Sequence, residues 1–193
     1  MKKVVFVGSG AIGTAIGNVL ARKGVDDITL LSIEEEVVES INNLRYNLTY
    51  FPNVKLSRNL KATTDKSVLK DADVIFMAIP SVAVVGYLFD NKEYLNPKSI
   101  IVNLAKGFGK CDCLIPDCLQ GHFPNPIMMM KGPSFAREII NRQDTGFTLA
   151  CSDNQYFSEI SELFENTNIR FDFSNDITGV ELASILKNIY AII

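Results

Sequence analysis

Two glycine-rich turns and a set of lysines in this 193-residue chain have types and spacings suited to chemistry. The first is Gly8-Ser9-Gly10-Ala11-Ile12-Gly13, a G-x-G-x-x-G near the N-terminus. It follows the apolar run Val4–Val7 and opens a helical pattern, the context in which this motif signals a dinucleotide-binding turn. Gly8 would let the chain turn sharply, Gly10 would let a pyrophosphate approach the backbone, and Gly13 would let the helix pack closely on the strand. The helix N-terminus then offers unpaired N–H groups and the positive end of its dipole to the phosphates. The competing reading is a tight turn that binds nothing. About 20 residues beyond Gly13, the second strand ends at Leu31-Ser32-Ile33-Glu34-Glu35, where an acidic side chain can accept hydrogen bonds from ribose hydroxyls. Glu34 would also repel a 2′-phosphate, and no Arg or Lys is near it in sequence, which favours NAD over NADP. Alternatively, Glu34–Glu36 is the solvated first turn of a helix, stabilised by the dipole.

The lysines come next. Lys106 follows Asn103-Leu104-Ala105 at the end of an apolar strand, and in open α/β sheets ligands lie at that edge; the bland alternative is a surface lysine at a turn. Lys131-Gly132-Pro133-Ser134-Phe135-Ala136 is a second strand-to-helix turn. Ser134 suits an N-cap, with Glu138 adding first-turn acidity, and the small residues would equally admit a substrate at a helix N-terminus. Lys187 lies within the apolar helical stretch 179–188. Lysines are seldom buried unless paired or functional, and such surroundings lower the pKa toward a range that suits proton transfer. Asn188 beside it could orient a hydroxyl; otherwise Lys187 snorkels to the helix edge. Cys111, Cys113 and Cys118 precede His122, the single histidine. A zinc site can be imagined there, but no C-x-x-C pair is present, so reduced thiols and no metal are expected.

These groups need a scaffold. Nearly half the residues are apolar and the net charge is −3 with both signs dispersed, which argues against nucleic acid or an anionic membrane as partner. No apolar run approaches the roughly 20 residues of a membrane span, and Met1-Lys2-Lys3 leads into a strand rather than a signal peptide. A soluble, cytoplasmic protein with a small-molecule substrate is expected. Strands are read at 4–7, 28–31, 61–64, 74–79, 99–104, 127–130, 146–151 and 169–173. Helices are read at 11–22, 35–42, 81–88 and 134–140, in a segment through Leu163, after Asp65 as a cap, and from Asn175 onward. The stretch 47–60 has turn residues and no period. Alternation of interior-type strands with helices predicts an α/β fold, a mostly parallel sheet with helices on both faces.

Taken together, the chain resembles the NAD(P)-dependent glycerol-3-phosphate dehydrogenase family. The resemblance rests on Gly8–Ala15, on the run 59–65 (Asn-Leu-Lys-Ala-Thr-Thr-Asp), on Lys106-Gly107, on Gly132-Pro133-Ser134-Phe135-Ala136, and on Gly179-Val180-Glu181-Leu182 leading to Leu186-Lys187-Asn188. It implies a Rossmann-type doubly wound sheet and interconversion of sn-glycerol 3-phosphate and dihydroxyacetone phosphate by hydride transfer with NAD(P). Lys187 then matches the proton-accepting lysine, and Lys106 a lysine touching cofactor and substrate. Gly132 and Ser134 match substrate contacts, and Ala136 a cofactor contact. Gly8, Ser9, Gly10, Ala11, Ile12, Gly13, Ile33 and Glu34 complete the expected cofactor site. The chain departs from bacterial members at Ala11-Ile12, where an aromatic contact to the cofactor is lost, and at Ile33, where many NADP users have a basic residue. The resemblance also implies a helical second domain that holds the substrate phosphate. The expected organisation is therefore a dinucleotide-binding domain over 1–174 and, over 175–193, the first helix of a truncated all-α domain. Self-association into a homodimer is left open. The other functions weighed are a non-catalytic NAD-binding module and a different hydroxyacid or ketopantoate-type reductase.

Overall fold

A computed structural model describes residues 2–25, 27–110 and 113–190, the last four of these by backbone alone. The β-branched and aromatic run Lys3–Val7 forms β1 and feeds through the glycine turn into α1, Ala11–Lys23. This helix stops where Gly24 adopts φ 99°, a left-handed conformation that costs glycine little. Strand β2, Asp27–Leu31, leads to α2, Glu35–Glu39, which runs on as a π-helical turn over Ser40–Leu44. The expected helix over 35–42 is thus present, but its last part is wider wound, and Arg45 ends it in the left-handed region at φ 65°. A long irregular connection then reaches β3, Leu60–Thr63, and a 3-10 helix over Lys66–Asp71. Asp65 caps that helix by accepting from the Ser67 N–H. The chain continues through β4 (Val74–Met77), α3 (Ser81–Asp90), β5 (Ile100–Asn103), α4 (Ile115–Leu119) and β6 (Ile127–Lys131). Then come α5 (Ala136–Ile140), β7 (Thr145–Ala150), α6 (Asn154–Leu163), β8 (Ile169–Ser174) and α7 (Ile177–Tyr190).

The eight strands form one sheet in the order β3-β2-β1-β4-β5-β6-β7-β8. All pairings are parallel except β6 with β7, which is antiparallel. The chain winds outward from β1 to β3, then returns to start again at β4 on the other side of β1. A crevice therefore opens at the carboxyl ends of β1 and β4, the place where doubly wound sheets bind ligands.

Side chains alternate across the pleat and so make two cores. Val4 and Phe6 of β1, Val74 and Phe76 of β4, and Met128 and Met130 of β6 join the cluster under α1, α5 and α6. Val5, Val7, Ile75, Met77 and Ile101 face the other way, toward Val84 and Leu88 of α3 and Ile115 of α4. Phe6 stacks on Phe76 with centroids 4.6 Å apart, and Phe164 meets Phe76 edge-on at 6.1 Å. Truncating the fully buried Phe76 to alanine would cost about 3–5 kcal/mol. Among the described residues, no helix is long and apolar enough to cross a membrane.

Candidate functional site

Two cavities lie at the ends of the parallel strands. The first, about 550 Å³, is lined by Gly8, Ser9, Gly10, Ile33, Glu34 and Tyr50, among others. The glycines in its wall are required for different reasons. Gly8 sits at φ 109°, and a Cβ there would lie 2.5 Å from the Ala78 carbonyl oxygen. A Cβ on Gly13 would run into the Gly8 carbonyl oxygen and come within 3.1 Å of the Ala78 Cβ. Gly10 is another matter. Its φ of −69° suits any residue, and among the described residues a Cβ on it would meet only the Tyr50 ring, 3.9 Å away. Protein packing does not demand a glycine at position 10, whereas close approach of a ligand to the backbone would.

Gly10 is also the N-cap of α1, with no side-chain hydrogen bond to the helix and no acidic residue in the first turn. The positive end of a 13-residue helix is thus uncompensated beside the cavity, as an anion site requires. The loop is held rigidly. The Ser9 hydroxyl donates to the Ser32 hydroxyl at 2.7 Å, which in turn accepts from the Glu34 N–H at 3.0 Å. Asn47 is fully buried and donates through one amide nitrogen to the Ser9 carbonyl at 2.8 Å and to the Thr14 hydroxyl at 2.9 Å. The glycine loop and the end of β2 are therefore joined by hydrogen bonds. Glu34 is exposed, and Ile33 is 93% exposed, an apolar side chain left bare on the cavity wall.

The second cavity, about 340 Å³, is lined by Lys106, Lys131, Gly132, Thr148, Ala183 and Ser184, among others. Lys106 follows β5 and places its ammonium 3.4 Å from the Ser134 carbonyl oxygen and 3.5 Å from its hydroxyl. Ser134 does not cap a helix. Helix α5 begins two residues later, with Phe135 at the cap position and no side-chain cap bond. The Gly-Pro turn extends past the serine and turns its hydroxyl toward Lys106, so the N-cap expectation is corrected. A Cβ on Gly132 would meet the Gly146 carbonyl oxygen at 2.5 Å, so the sheet itself requires that glycine.

The structure thus collects Gly8, Ser9, Gly10, Ile33 and Glu34 in one cavity, and Lys106, Gly132 and, by contact, Ser134 at the other. Ala11 and Ile12 form the first turn of α1, partly packed against the main core, and Ala136 does the same at the start of α5. Lys187 and Asn188 stand on α7, but their side chains lie outside the described part of the structure, as do Cys111 and Asp112. Among the described residues, no group of three or more His, Cys, Asp or Glu is placed to hold a metal ion.

Four features were missed by sequence reasoning. Tyr50, from the irregular stretch after α2, brings an aromatic ring over Gly10, so the cavity regains an aromatic wall that Ala11-Ile12 does not supply. Lys66 lines the same cavity as Glu34, although 32 residues separate the two in the chain. Tyr87 also lines it; burial pushes its phenol up to about 12, and its hydroxyl has no hydrogen-bond partner among the described residues. The fourth is a buried ion pair, Lys131 Nζ to Glu181 Oε2 at 2.8 Å, with the two side chains 3% and 0% exposed. Burial lowers the lysine pKa and raises that of the carboxyl, and their mutual attraction opposes both shifts. The contact is close but not aligned as a hydrogen bond, and neither Glu181 oxygen has a well-directed donor among the described residues.

The model for the N-terminus of NAD-dependent glycerol-3-phosphate dehydrogenases matches residues 3–157. A glycerol-3-phosphate dehydrogenase (NAD(P)+) of Leptospira biflexa is 36% identical over 98% of this chain and 59% of its own length. Its counterpart from Bacillus subtilis is 35% identical over 100% of this chain and 57% of its own. The crystal structure of a glycerol-3-phosphate dehydrogenase from Coxiella burnetii superposes with a TM-score of 0.91 at 30% identity, covering 99% of this chain and 59% of that one. The chain therefore spans somewhat more than half the length of the relatives it matches.

Proposed function

This chain belongs to the NAD-dependent glycerol-3-phosphate dehydrogenase family, and we propose that it forms the dinucleotide-binding part of an oxidoreductase interconverting sn-glycerol 3-phosphate and dihydroxyacetone phosphate. The observation that supports this most directly is Gly10, whose missing side chain leaves space over the backbone that, among the described residues, only the Tyr50 ring approaches, at 3.9 Å from where a Cβ would stand. A pyrophosphate there would lie against the N-terminus of α1, with Ser9, Ala11, Ile12 and Gly13 shaping the turn around it. Glu34 would accept from the adenosine ribose, and the bare Ile33 side chain would cover the base. Ala136 would touch the cofactor nearer its nicotinamide end. NAD is the preferred form, because Glu34 opposes a 2′-phosphate.

The nicotinamide ring, when bound, supplies the hydride acceptor. The protein's task is then to bind the triose phosphate and to manage the hydroxyl proton. Lys106 would face both cofactor and substrate and stabilise charge developing on the substrate oxygen, while Gly132 and Ser134 line the substrate. Lys187 would accept the proton, with Asn188 orienting the hydroxyl. On this reading, residues 1–174 bind dinucleotide and 175–193 begin the part that holds substrate. Titrating the chain with NADH, followed by nicotinamide fluorescence, tests the proposal. Saturable binding that Gly10→Val abolishes in a folded protein is expected, and failure of the unmodified chain to bind would reject it.

A further inference from the structure

We propose that the buried Lys131–Glu181 ion pair is a positioning device that fixes the Ala105–Lys106 turn against helix α7. It thereby sets where the Lys106 ammonium stands in the cavity.

Three segments distant in sequence meet at the Lys131 ammonium. Lys131 ends β6, donates to the Ala105 carbonyl at the end of the β5 turn, and lies 2.8 Å from Glu181 of α7. The residue after Ala105 is Lys106, whose side chain reaches across the same cavity to Ser134. Ala105 is itself anchored on the other side by donating its N–H to Asn103 Oδ1 at 3.0 Å. The turn that carries Lys106 is therefore pinned at both its amide and its carbonyl.

Stability alone does not explain such a pair. Two charges are removed from water at residues 3% and 0% exposed, and apolar replacements of similar volume are often neutral or stabilising. An apolar residue at 131 would also suit its neighbours, since Met128, Met129 and Met130 precede it in a buried strand. What an apolar residue cannot do is hold a carbonyl and a carboxylate at fixed points. Lysine has three donors in tetrahedral array; one is taken by the Ala105 carbonyl, while the Glu181 carboxylate is held 2.8 Å away as an ionic contact. The pair thus specifies position at an energetic cost, which suits the edge of a cavity where a second lysine must be placed.

The functional meaning rests on the reading that Lys106 faces a ligand, but the test does not. The double variant Lys131→Met, Glu181→Gln removes both charges together, so no unpaired charge is left buried. Each lysine's acetylation rate with a water-soluble acetylating ester is followed by peptide mass spectrometry, alongside circular dichroism and urea denaturation. The Lys106 rate should change by roughly fivefold or more, while Lys61 and Lys66, exposed and remote from the pair, keep theirs; this selectivity marks a local change rather than general loosening. Glu181→Gln alone, which keeps the lysine and the packing, should give a smaller change of the same sign. A folded double variant with an unchanged Lys106 rate would overturn the proposal. So would unfolding of both variants, since the pair would then belong to folding. NADH titration of the unmodified chain reads the functional proposal separately: absent binding with a selective Lys106 response would reject that proposal and leave this one standing.

Discussion

Replacing Gly10 and Gly13 in turn by alanine should separate what the glycine motif does for a ligand from what it does for the fold. At Gly10 the backbone φ is −69°, and the added methyl would meet the Tyr50 ring at 3.9 Å. Restricting the unfolded chain favours alanine by about 0.4–1 kcal/mol, and the weaker N-cap preference of alanine takes back a similar amount. The net change in stability should lie within about 0.5 kcal/mol of zero. At Gly13 the methyl would collide with the Gly8 carbonyl oxygen and press on the Ala78 Cβ at 3.1 Å, neither of which is a flexible side-chain end. Overpacking of this kind costs about 1–3 kcal/mol, against a helix-propensity gain of about 1 kcal/mol. A net loss of up to about 2 kcal/mol would move the urea midpoint by roughly 1 M. The dinucleotide should respond in the opposite order. The Gly10 methyl occupies the space proposed for the pyrophosphate, so NADH affinity should fall at least about tenfold, or 1.4 kcal/mol, in a protein as stable as the parent. Urea melts and NADH titrations on the same samples supply both numbers. Gly10→Ala binding NADH within about twofold of the parent would refute the steric reasoning, as would a Gly13→Ala protein more stable than the parent.

NADH should bind more tightly than NADPH, and Glu34→Gln should narrow the gap by about 1 kcal/mol, roughly fivefold, the value of one charge pair about 4 Å apart in water. Lys66→Ala should widen it, because Lys66 lines the same cavity; calorimetric titration of both dinucleotides checks this, and an unaltered ratio in both variants would exclude the two charges from cofactor choice. Tyr87→Phe removes a buried hydroxyl without a partner among the described residues and should raise stability by about 1 kcal/mol, with thermal denaturation as the measure; a loss of stability would mean that the hydroxyl is satisfied in solution. The Asp65 carboxylate accepts from the Ser67 hydroxyl at 2.6 Å and from its N–H at 2.9 Å, which hold it below its ordinary pKa. Its contribution is then present above the unfolded value, about 3.9, and is lost as pH falls through the folded one. Asp65→Asn should accordingly flatten the acid limb of the stability curve, and an identical limb in the variant would show that the cap is not coupled to titration.

The strands and helices that build the crevice were legible because each has a strong local signal. Val4–Val7 and Val74–Met77 are continuous apolar runs that only a sheet covered on both faces can bury, while Gly8 ends the first of them and Gly24 ends α1, both at positive φ. Local signals failed where the third dimension supplies the partner. Nothing near Ser134 in sequence shows that the Gly-Pro turn carries on to Phe135, and serine before a helical stretch is by itself a good cap. The π-helical turn over Ser40–Leu44 is invisible in a pattern that allows only a 3.6-residue period. Tyr50 comes from an irregular connection and Lys66 opens a short 3-10 helix, and neither declares its target until the chain between β2 and β4 is folded.

Lys131 shows why a lysine's sequence neighbours are a poor guide to its burial. Lys187 drew notice because it interrupts an apolar helical pattern, whereas Lys131 looked like the ordinary polar end of a strand entering a turn. The residue that makes Lys131 tolerable at 3% exposure is Glu181, 50 residues away and itself fully buried. Glu181 in turn is one acidic residue within the apolar helical stretch 179–188. Neither half of a buried ion pair is informative alone, because each would be placed on the surface by its own transfer cost. Only their coincidence offsets that cost, and coincidence over 50 residues depends on how α7 crosses β6. The same geometry ties the end of β6 to the turn that presents Lys106.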